Sequence, residues 1–205
     1  MNGLHRTART LLVAFAAVAA FSAPAAAKAV LNPQAGMTWT NYSFDDNEAP
    51  IEDAARVGYA LGGTVRFGSA LYFAPGLYYQ QTGFEATATD DLTLQTITES
   101  VGVNAFHIPV YVGFIIGGTS AASTGLRVYG GPAATIVTSV ADNDFDLTKD
   151  DYETTIWGGT IGAGFDLTSI TFDLNYEIGL TDVFSADDAI GAKQNVLRGL
   201  VGLKF

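Results

Sequence analysis

Residues 193–205 read KQNVLRGLVGLKF, and from Asn195 onward their side chains alternate in size and polarity. Apolar residues and glycine fill one set of alternate positions up to Phe205, whereas Arg198 and Lys204 fall in the other set. A period of two indicates a β-strand with two different faces, because successive side chains of a strand point to opposite sides. The stretch therefore predicts a strand that continues to Phe205, and a fold in which that strand is paired.

The same alternation recurs along the chain, where helical periodicity is absent. We expect eight strands, at about 34–43, 56–67, 70–82, 104–116, 125–138, 155–167, 169–181 and 195–205. The connections between them alternate in length: three are short (68–69, 117–124, 168–169) and four are long (44–55, 83–103, 141–154, 182–194). Short turns at one end and long loops at the other are typical of a transmembrane β-barrel. A soluble up-and-down barrel can share this feature, so the faces of the strands must decide.

The faces of the strands favour a membrane. In the seventh strand, one parity is bulky and apolar from Ile170 to Leu180, whereas the other carries Asp173, Asn175 and Glu177. Eighteen of the 21 acidic residues fall in the four long connections, and the other three lie on polar parities. A soluble barrel would carry charged residues along its outer faces, whereas a membrane barrel turns apolar rows to lipid. The pattern predicts an all-β, eight-stranded, antiparallel transmembrane up-and-down β-barrel.

Aromatic residues on the apolar parity form two bands. Near the short turns or the terminus lie Phe67, Phe73, Phe114, Phe165, Phe172 and Phe205, and toward the long loops lie Trp39, Tyr59, Tyr79 and Trp157. Two aromatic girdles are what the two membrane–water interfaces select.

The N-terminus has the features of a secretory signal peptide. Arg6 and Arg9 precede the apolar run LLVAFAAVAAFSA, and Ala25 and Ala27 provide an A-x-A cleavage motif, so we expect residues 1–27 to be removed. The alternative is an anchoring helix, for which the run is short and rich in alanine. Residues 28–205 would form the barrel domain, with 21 acids and eight bases and hence a net charge of −13. Such a domain is not expected to bind nucleic acid, and without cysteine it has no disulfides.

Several motifs resemble known outer-membrane barrels. The terminal LRGLVGLKF resembles the strand that barrel-assembly machinery reads in bacterial outer-membrane proteins. FAPGLYYQQTGF (73–84), FHIPVYVGF (106–114), RVYGGPAATI (127–136) and FDLNYEIGLTDVF (172–184) resemble the PorT-like family of small barrels, of the OmpA and OmpX type. Many members carry a basic residue where this chain has Asn175. The resemblance implies a monomeric barrel in the outer membrane, in contact with its lipid, and PorT itself is linked to protein secretion.

Two sets of residues could carry chemistry. His107 would be the one histidine of the barrel domain, and its inward parity indicates an interior side chain rather than a catalyst for lipid chemistry. Asp142, Asp144, Asp146, Asp150 and Glu153 have the spacing of a calcium loop, but Leu147 stands where the turn needs glycine. The prediction is therefore a solvated acidic loop, with no catalytic, cofactor or metal site.

The sequence leaves four functions open. The first is a non-enzymatic integral outer-membrane protein with acidic extracellular loops, in a structural or interaction role. The alternatives are an accessory of a protein secretion system, with a secretion or extracellular protein partner, a small porin-like channel, and an outer-leaflet lipid-modifying enzyme. Counting heights along neighbouring strands also predicts two interior ion pairs, Glu177 with Arg198 and Asp166 with Arg127.

Overall fold

The computed structural model describes residues 29–44, 56–89, 96–117, 124–141, 152–183 and 192–205. The strands are β1 (Ala29–Phe44), β2 (Arg56–Gly68), β3 (Leu71–Thr89), β4 (Thr96–Ile116), β5 (Gly125–Val140), β6 (Thr155–Leu167), β7 (Ile170–Gly179) and β8 (Ala192–Leu203). Each strand pairs antiparallel with its sequence neighbours, and β8 pairs with β1, so the sheet is a closed barrel. The described residues include no helix of the length and apolar character needed to cross a membrane. The predicted eight-stranded antiparallel barrel is confirmed.

Closure extends to the last residue. The backbone N–H of Phe205 donates to the carbonyl oxygen of Leu31 at 2.9 Å, and the N–H of Leu31 donates back at 3.1 Å. The main chain at Phe205 is thereby paired with β1, which leaves its N–H and C=O satisfied even though its ring is exposed.

The distribution of side chains is the reverse of that in a soluble barrel. Along β7, Phe172 and Leu174 point outward and are 45% and 57% exposed, whereas Asp173, Asn175 and Glu177 point inward and are buried. The same alternation runs through β8, where Arg198 is buried. Burying charge while exposing large apolar residues is favourable only where the outer surface meets lipid. The soluble-barrel alternative is therefore wrong.

The aromatic rings near the short turns lie side by side on the outer surface. Phe67 is directly opposite Phe73, and Phe165 is directly opposite Phe172. Toward the long connections, the rings of Tyr79 and Phe106 meet edge to face, with centroids 5.7 Å apart.

One predicted loop is partly wrong. We expected a loop over residues 83–103, but β3 continues to Thr89 and β4 begins at Thr96, with a register that runs to Thr89 opposite Thr96. The prediction ended each strand where its apolar row ended. Backbone pairing does not require such a row, and the threonines of this segment favour an extended chain. Residues 90–95 lie outside the described residues.

Candidate functional site in the barrel interior

A cluster of charges fills the lumen toward the short turns. Arg127 donates from Nε to Asp166 at 2.8 Å and from Nη2 to Asp173 at 2.8 Å. Arg66, from the opposite side of the barrel, donates to Asp166 at 2.7 Å. Lys204 adds a contact to Asp166 at 3.4 Å. The predicted Asp166–Arg127 pair is confirmed, and the cluster joins β2, β5, β6 and β7 to Lys204, which follows β8.

Two uncharged side chains connect this cluster to β3. The side-chain amide nitrogen of Gln34 donates to Asp173 at 2.6 Å, and the hydroxyl of Tyr78 donates to the side-chain oxygen Oε1 of Gln34. Glycine makes room for the charges on β6, since a Cβ at Gly164 would lie 2.4 Å from a carboxylate oxygen of Asp173 and 2.6 Å from Nη2 of Arg127. The absence of a side chain at Gly164 therefore leaves the space that these polar side chains occupy.

A second group of polar side chains lies nearer the middle of the barrel. Nη1 of Arg198 lies 2.8 Å from Oε2 of Glu177, which confirms the predicted ion pair. Asn175, not Glu177, is directly opposite Arg198, so the pair bridges a two-residue offset. The Nε of Arg198 also donates to Gln80 at 3.0 Å, which ties β8 to β3 across the lumen.

His107 belongs to this middle group and is fully buried, as the sequence indicated. Its Nδ1 lies 3.1 Å from the hydroxyl of Thr135 and 3.5 Å from a carboxylate oxygen of Glu177. A nucleophile relay places the hydroxyl on one ring nitrogen and the carboxylate on the other. Here both contacts converge on the same nitrogen, and no face of the ring reaches lipid. The three residues do not have the geometry of a hydrolase triad.

An apolar cluster occupies the lumen toward the long connections, and we call it the seal. Its buried members are Tyr42, Val103, Val137, Tyr152, Ile156 and Val183. Tyr152 and Val183 come from the connections after β5 and β7 rather than from strands. A backbone hydrogen bond from Glu153 to Val183, at 2.8 Å, joins the bases of these two connections. Beneath the seal, Gln194 donates to Tyr42 at 2.8 Å and to Thr82 at 3.2 Å.

Little space remains between the charged cluster and the middle group. A cavity of about 10 Å³ lies there, lined by four tyrosines and by Arg66, Arg127 and Asp173 among others. A volume of about 10–15 Å³ accommodates a single water molecule. The rings of Tyr111 and Tyr129, with centroids 4.9 Å apart, form part of its wall.

The calcium pattern lies mostly outside the described residues, which include Glu153 but not Asp142–Asp150. Among the residues that the structure describes, no group of three or more metal-ligating side chains converges on a point. The sequence analysis paired Asp166 with Arg127 alone, and it gave no role to Arg66, Tyr152 or Val183. The apolar character of Tyr152 and Val183 within acidic connections is the one signal that could have suggested the seal.

Comparisons with known proteins give one family match and a set of similar solved structures. A family model described as an outer membrane protein beta-barrel domain matches residues 26–185, more than three quarters of the chain. Among solved structures, Neisserial surface protein A is similar with 13% identity and a TM-score of 0.48, over 85% of this chain and 97% of that one. Ail, the attachment invasion locus protein of Yersinia pestis, is similar with 14% identity and a TM-score of 0.46, over 87% and 99%. No curated protein matches the chain significantly.

Proposed function

The chain belongs to the outer membrane protein beta-barrel domain family, and from this premise we propose that its barrel is a non-enzymatic, non-conducting anchor whose long acidic connections make contacts outside the outer membrane. Residues 1–27 act as the signal peptide in this proposal. The membrane location follows from the family, whereas the role of the connections and the closed state of the lumen are the proposal itself.

The observation that carries the proposal is the filled lumen. Ion pairs occupy the part of the lumen near the short turns and its middle, and the seal occupies the part near the long connections. The cavity between the two groups of ion pairs has the size of a water molecule. Eight strands enclose an interior that side chains can fill completely, so a hydrated ion has no continuous path. A barrel built in this way serves to hold its connections at the membrane surface.

Conductance in planar bilayers tests the proposal. The wild-type protein should give no single-channel events, whereas the double variant Tyr111→Ala and Tyr129→Ala should give small events because it removes from the lumen two rings that contact each other. The matched control is Tyr59→Ala with Tyr176→Ala, which removes two rings from the lipid-facing surface. Stable conductance of the wild-type protein would contradict the proposal and support a small porin-like channel.

The absence of enzymatic activity is also part of the proposal. What supports it is the burial of His107 and the convergence of Thr135 and Glu177 on one of its nitrogens. An outer-leaflet lipid-modifying enzyme needs a base that meets its substrate at the lipid surface. An altered lipid profile in a deletion strain, restored by the wild-type chain but not by His107→Ala, would contradict this part.

The proposed partners follow from the two outer features of the barrel. Its apolar surface contacts outer-membrane lipid, and β8, followed by the paired Phe205, presents a terminal strand to the barrel-assembly machinery. The barrel acts as a monomer, since its sheet is closed without a second copy.

A secretion accessory is the second candidate. It rests on the resemblance of the motifs at 73–84, 106–114, 127–136 and 172–184 to PorT-like barrels. Deletion of the gene would then reduce secreted proteins in the culture medium while leaving the other outer-membrane barrels at normal levels. Unchanged secretion would leave the anchor as the better proposal.

A further inference from the structure

Strands β3 and β4 extend past both of their neighbours and form a two-stranded ribbon. The pairing of β2 with β3 ends at Tyr59 opposite Gln81, and that of β5 with β4 ends at Val140 opposite Val103. The register between β3 and β4 nevertheless continues to Thr89 opposite Thr96. Residues 84–89 and 96–101 therefore pair only with each other among the residues that the structure describes, and we call this segment the ribbon.

The backbone of β4 in the ribbon directs alternate hydrogen-bonding groups away from β3. The carbonyl oxygen of Gly102 accepts a hydrogen bond from the N–H of Ala141 at 2.7 Å, which fixes the side to which Gly102 points. In an antiparallel strand, each residue points its N–H and C=O to one side, and that side alternates along the chain. Ser100, Thr98 and Thr96 thus point their backbone groups outward, on the line where β5 would continue. Within the described ranges, no strand takes them.

The composition of this edge does not protect it. Edge strands are usually blunted by proline, by lysine or by a bulge, because unpaired N–H and C=O groups recruit other strands. Residues 96–101 read TITESV, which includes neither proline nor lysine and is rich in β-branched residues. The register shift of β4 against β5 falls at Asn104 and Ala105, below the ribbon rather than within it. The ribbon edge therefore fits an additional strand.

Charge decides which strand fits. Residues 83–103 carry Glu85, Asp90, Asp91 and Glu99 and no basic residue, and the whole chain has a net charge of −11. A second copy would bring an equally acidic ribbon against the first, which disfavours self-pairing. A partner segment rich in lysine or arginine carries the opposite charge and is attracted to this acidic stretch of the chain.

We propose that the outer edge of β4, residues 96–101, binds an extended basic segment of another protein by adding it as a strand beside β4. The proposal rests on the contact role proposed for the connections, and it names the chemistry of the partner. Main-chain hydrogen bonds supply the attachment and the acidic residues select the charge.

A designed peptide tests the proposal. The probe is a labelled octapeptide of alternating lysine and valine, and its binding to the full-length barrel in nanodiscs is followed by fluorescence anisotropy. Two peptides of the same length serve as comparisons: the same sequence N-methylated at alternate residues, and one with glutamate in place of lysine. We expect both to bind at least tenfold more weakly than the probe.

Variants locate the edge. Thr98→Pro removes an N–H that points outward and is not used in pairing with β3, so the ribbon should persist, as proline is tolerated on edge strands. Thr98→Pro should weaken binding of the probe at least tenfold, whereas Thr98→Ala should leave binding unchanged. Thr87→Pro is the matched proline control. The backbone carbonyl oxygen of Gln81 accepts from the hydroxyl of Thr38, which lies on β1 beyond β2, so Gln81 points its backbone groups away from β4. Residue 87 has the same parity as Gln81, and its N–H therefore points away from β4 as well. Heat-modifiable migration on a gel checks that each variant is folded.

Each other outcome contradicts the proposal. Equal binding of the N-methylated peptide would mean attraction by charge alone, and unchanged binding to Thr98→Pro would exclude the β4 edge. Loss of probe binding in Thr87→Pro alone would place the partner on β3. Dimers that form without peptide would identify a second copy of the chain as the occupant. A barrel that conducts no ions but ignores the probe would overturn this proposal alone and leave the anchor role intact.

Discussion

At the scale of single residues, the interior pair of Glu177 and Arg198 shows how a side-chain contact could be predicted from the sequence. Both side chains were placed inward by parity and at similar heights by counting from the short-turn end of each strand. They are 2.8 Å apart across a two-residue offset in register. Arginine is long enough to span that offset, which is why an approximate register was sufficient.

Replacing one partner of this pair should destabilise the barrel, because the other charge is then buried without a counter-charge. Arg198→Met leaves Glu177 buried without its cation, and removal of one partner of a buried pair costs about 3–5 kcal/mol. Adding Glu177→Gln to Arg198→Met should recover most of that loss, because no unpaired charge then remains. The temperature at which the folded band disappears on a gel measures both changes.

The control for this prediction is Leu197→Met, which changes the lipid-facing neighbour on the same strand and conserves volume, so it should cost less than about 1.5 kcal/mol. If the double variant is as unstable as Arg198→Met alone, the pair is not what stabilises this part of the lumen.

Contacts across the lumen could not be predicted in the same way. Asp166 is shared by Arg66, Arg127 and Lys204, of which only Arg127 lies on an adjacent strand. Parity shows that Arg66 points inward, but its reach to Asp166 depends on the diameter of the barrel and on the stagger of strands that are far apart in sequence. Those quantities are properties of the closed sheet, and no short stretch of sequence encodes them.

At the scale of elements, strand existence was predictable and strand length was not. All eight strands were predicted from alternation, because each has one apolar row that faces lipid. The ends of β3 and β4 were not, because the row stops while the pairing continues to Thr89 and Thr96. A ribbon of this kind is held by its backbone ladder and by β-branched residues, which leave only a weak pattern in the sequence.

The seal joins two connections to the lumen and should restrict access from that end. The chain has no cysteine, so a single one can report solvent access. Cysteine at Val196, a buried position deeper in the barrel, should react slowly with a membrane-impermeant maleimide. Adding Tyr152→Ala and Val183→Ala should raise that rate at least tenfold, because the ring of Tyr152 and the methyl groups of Val183 leave the mouth of the lumen.

Cysteine at Ser139, which is exposed on β5, is the matched control and should react quickly in both backgrounds. Fast reaction at Val196 with the seal intact would mean that the cluster does not exclude water. No change on removing Tyr152 and Val183 would mean that the polar layer at Gln194 closes the lumen instead.

At the scale of the whole molecule, the two ends of the barrel differ in chemistry. The end with the short turns has the buried charges of Asp166, Arg66 and Lys204, whereas the end with the long connections has the apolar seal. The acids outside the lumen lie with the long connections, so nearly all of the negative charge is gathered at one end. Assembly from the periplasm carries one end of such a barrel across the membrane. Short turns are the feature of the periplasmic side and long loops of the extracellular side.

This asymmetry predicts the orientation of the chain in the cell. Protease added to intact cells should cut within residues 142–151, in the acidic connection after β5, and should leave residues 118–123, between β4 and β5, uncut. Permeabilising the outer membrane should then expose residues 118–123. As a control for intrinsic susceptibility, the same tripeptide cleavage site for a specific protease is inserted into both segments, so that only location differs. Cleavage of intact cells at the turn between β4 and β5, with the acidic connection protected, would require the opposite orientation. The acidic ribbon and the connections would then face the periplasm, and contact with partners outside the cell would be excluded.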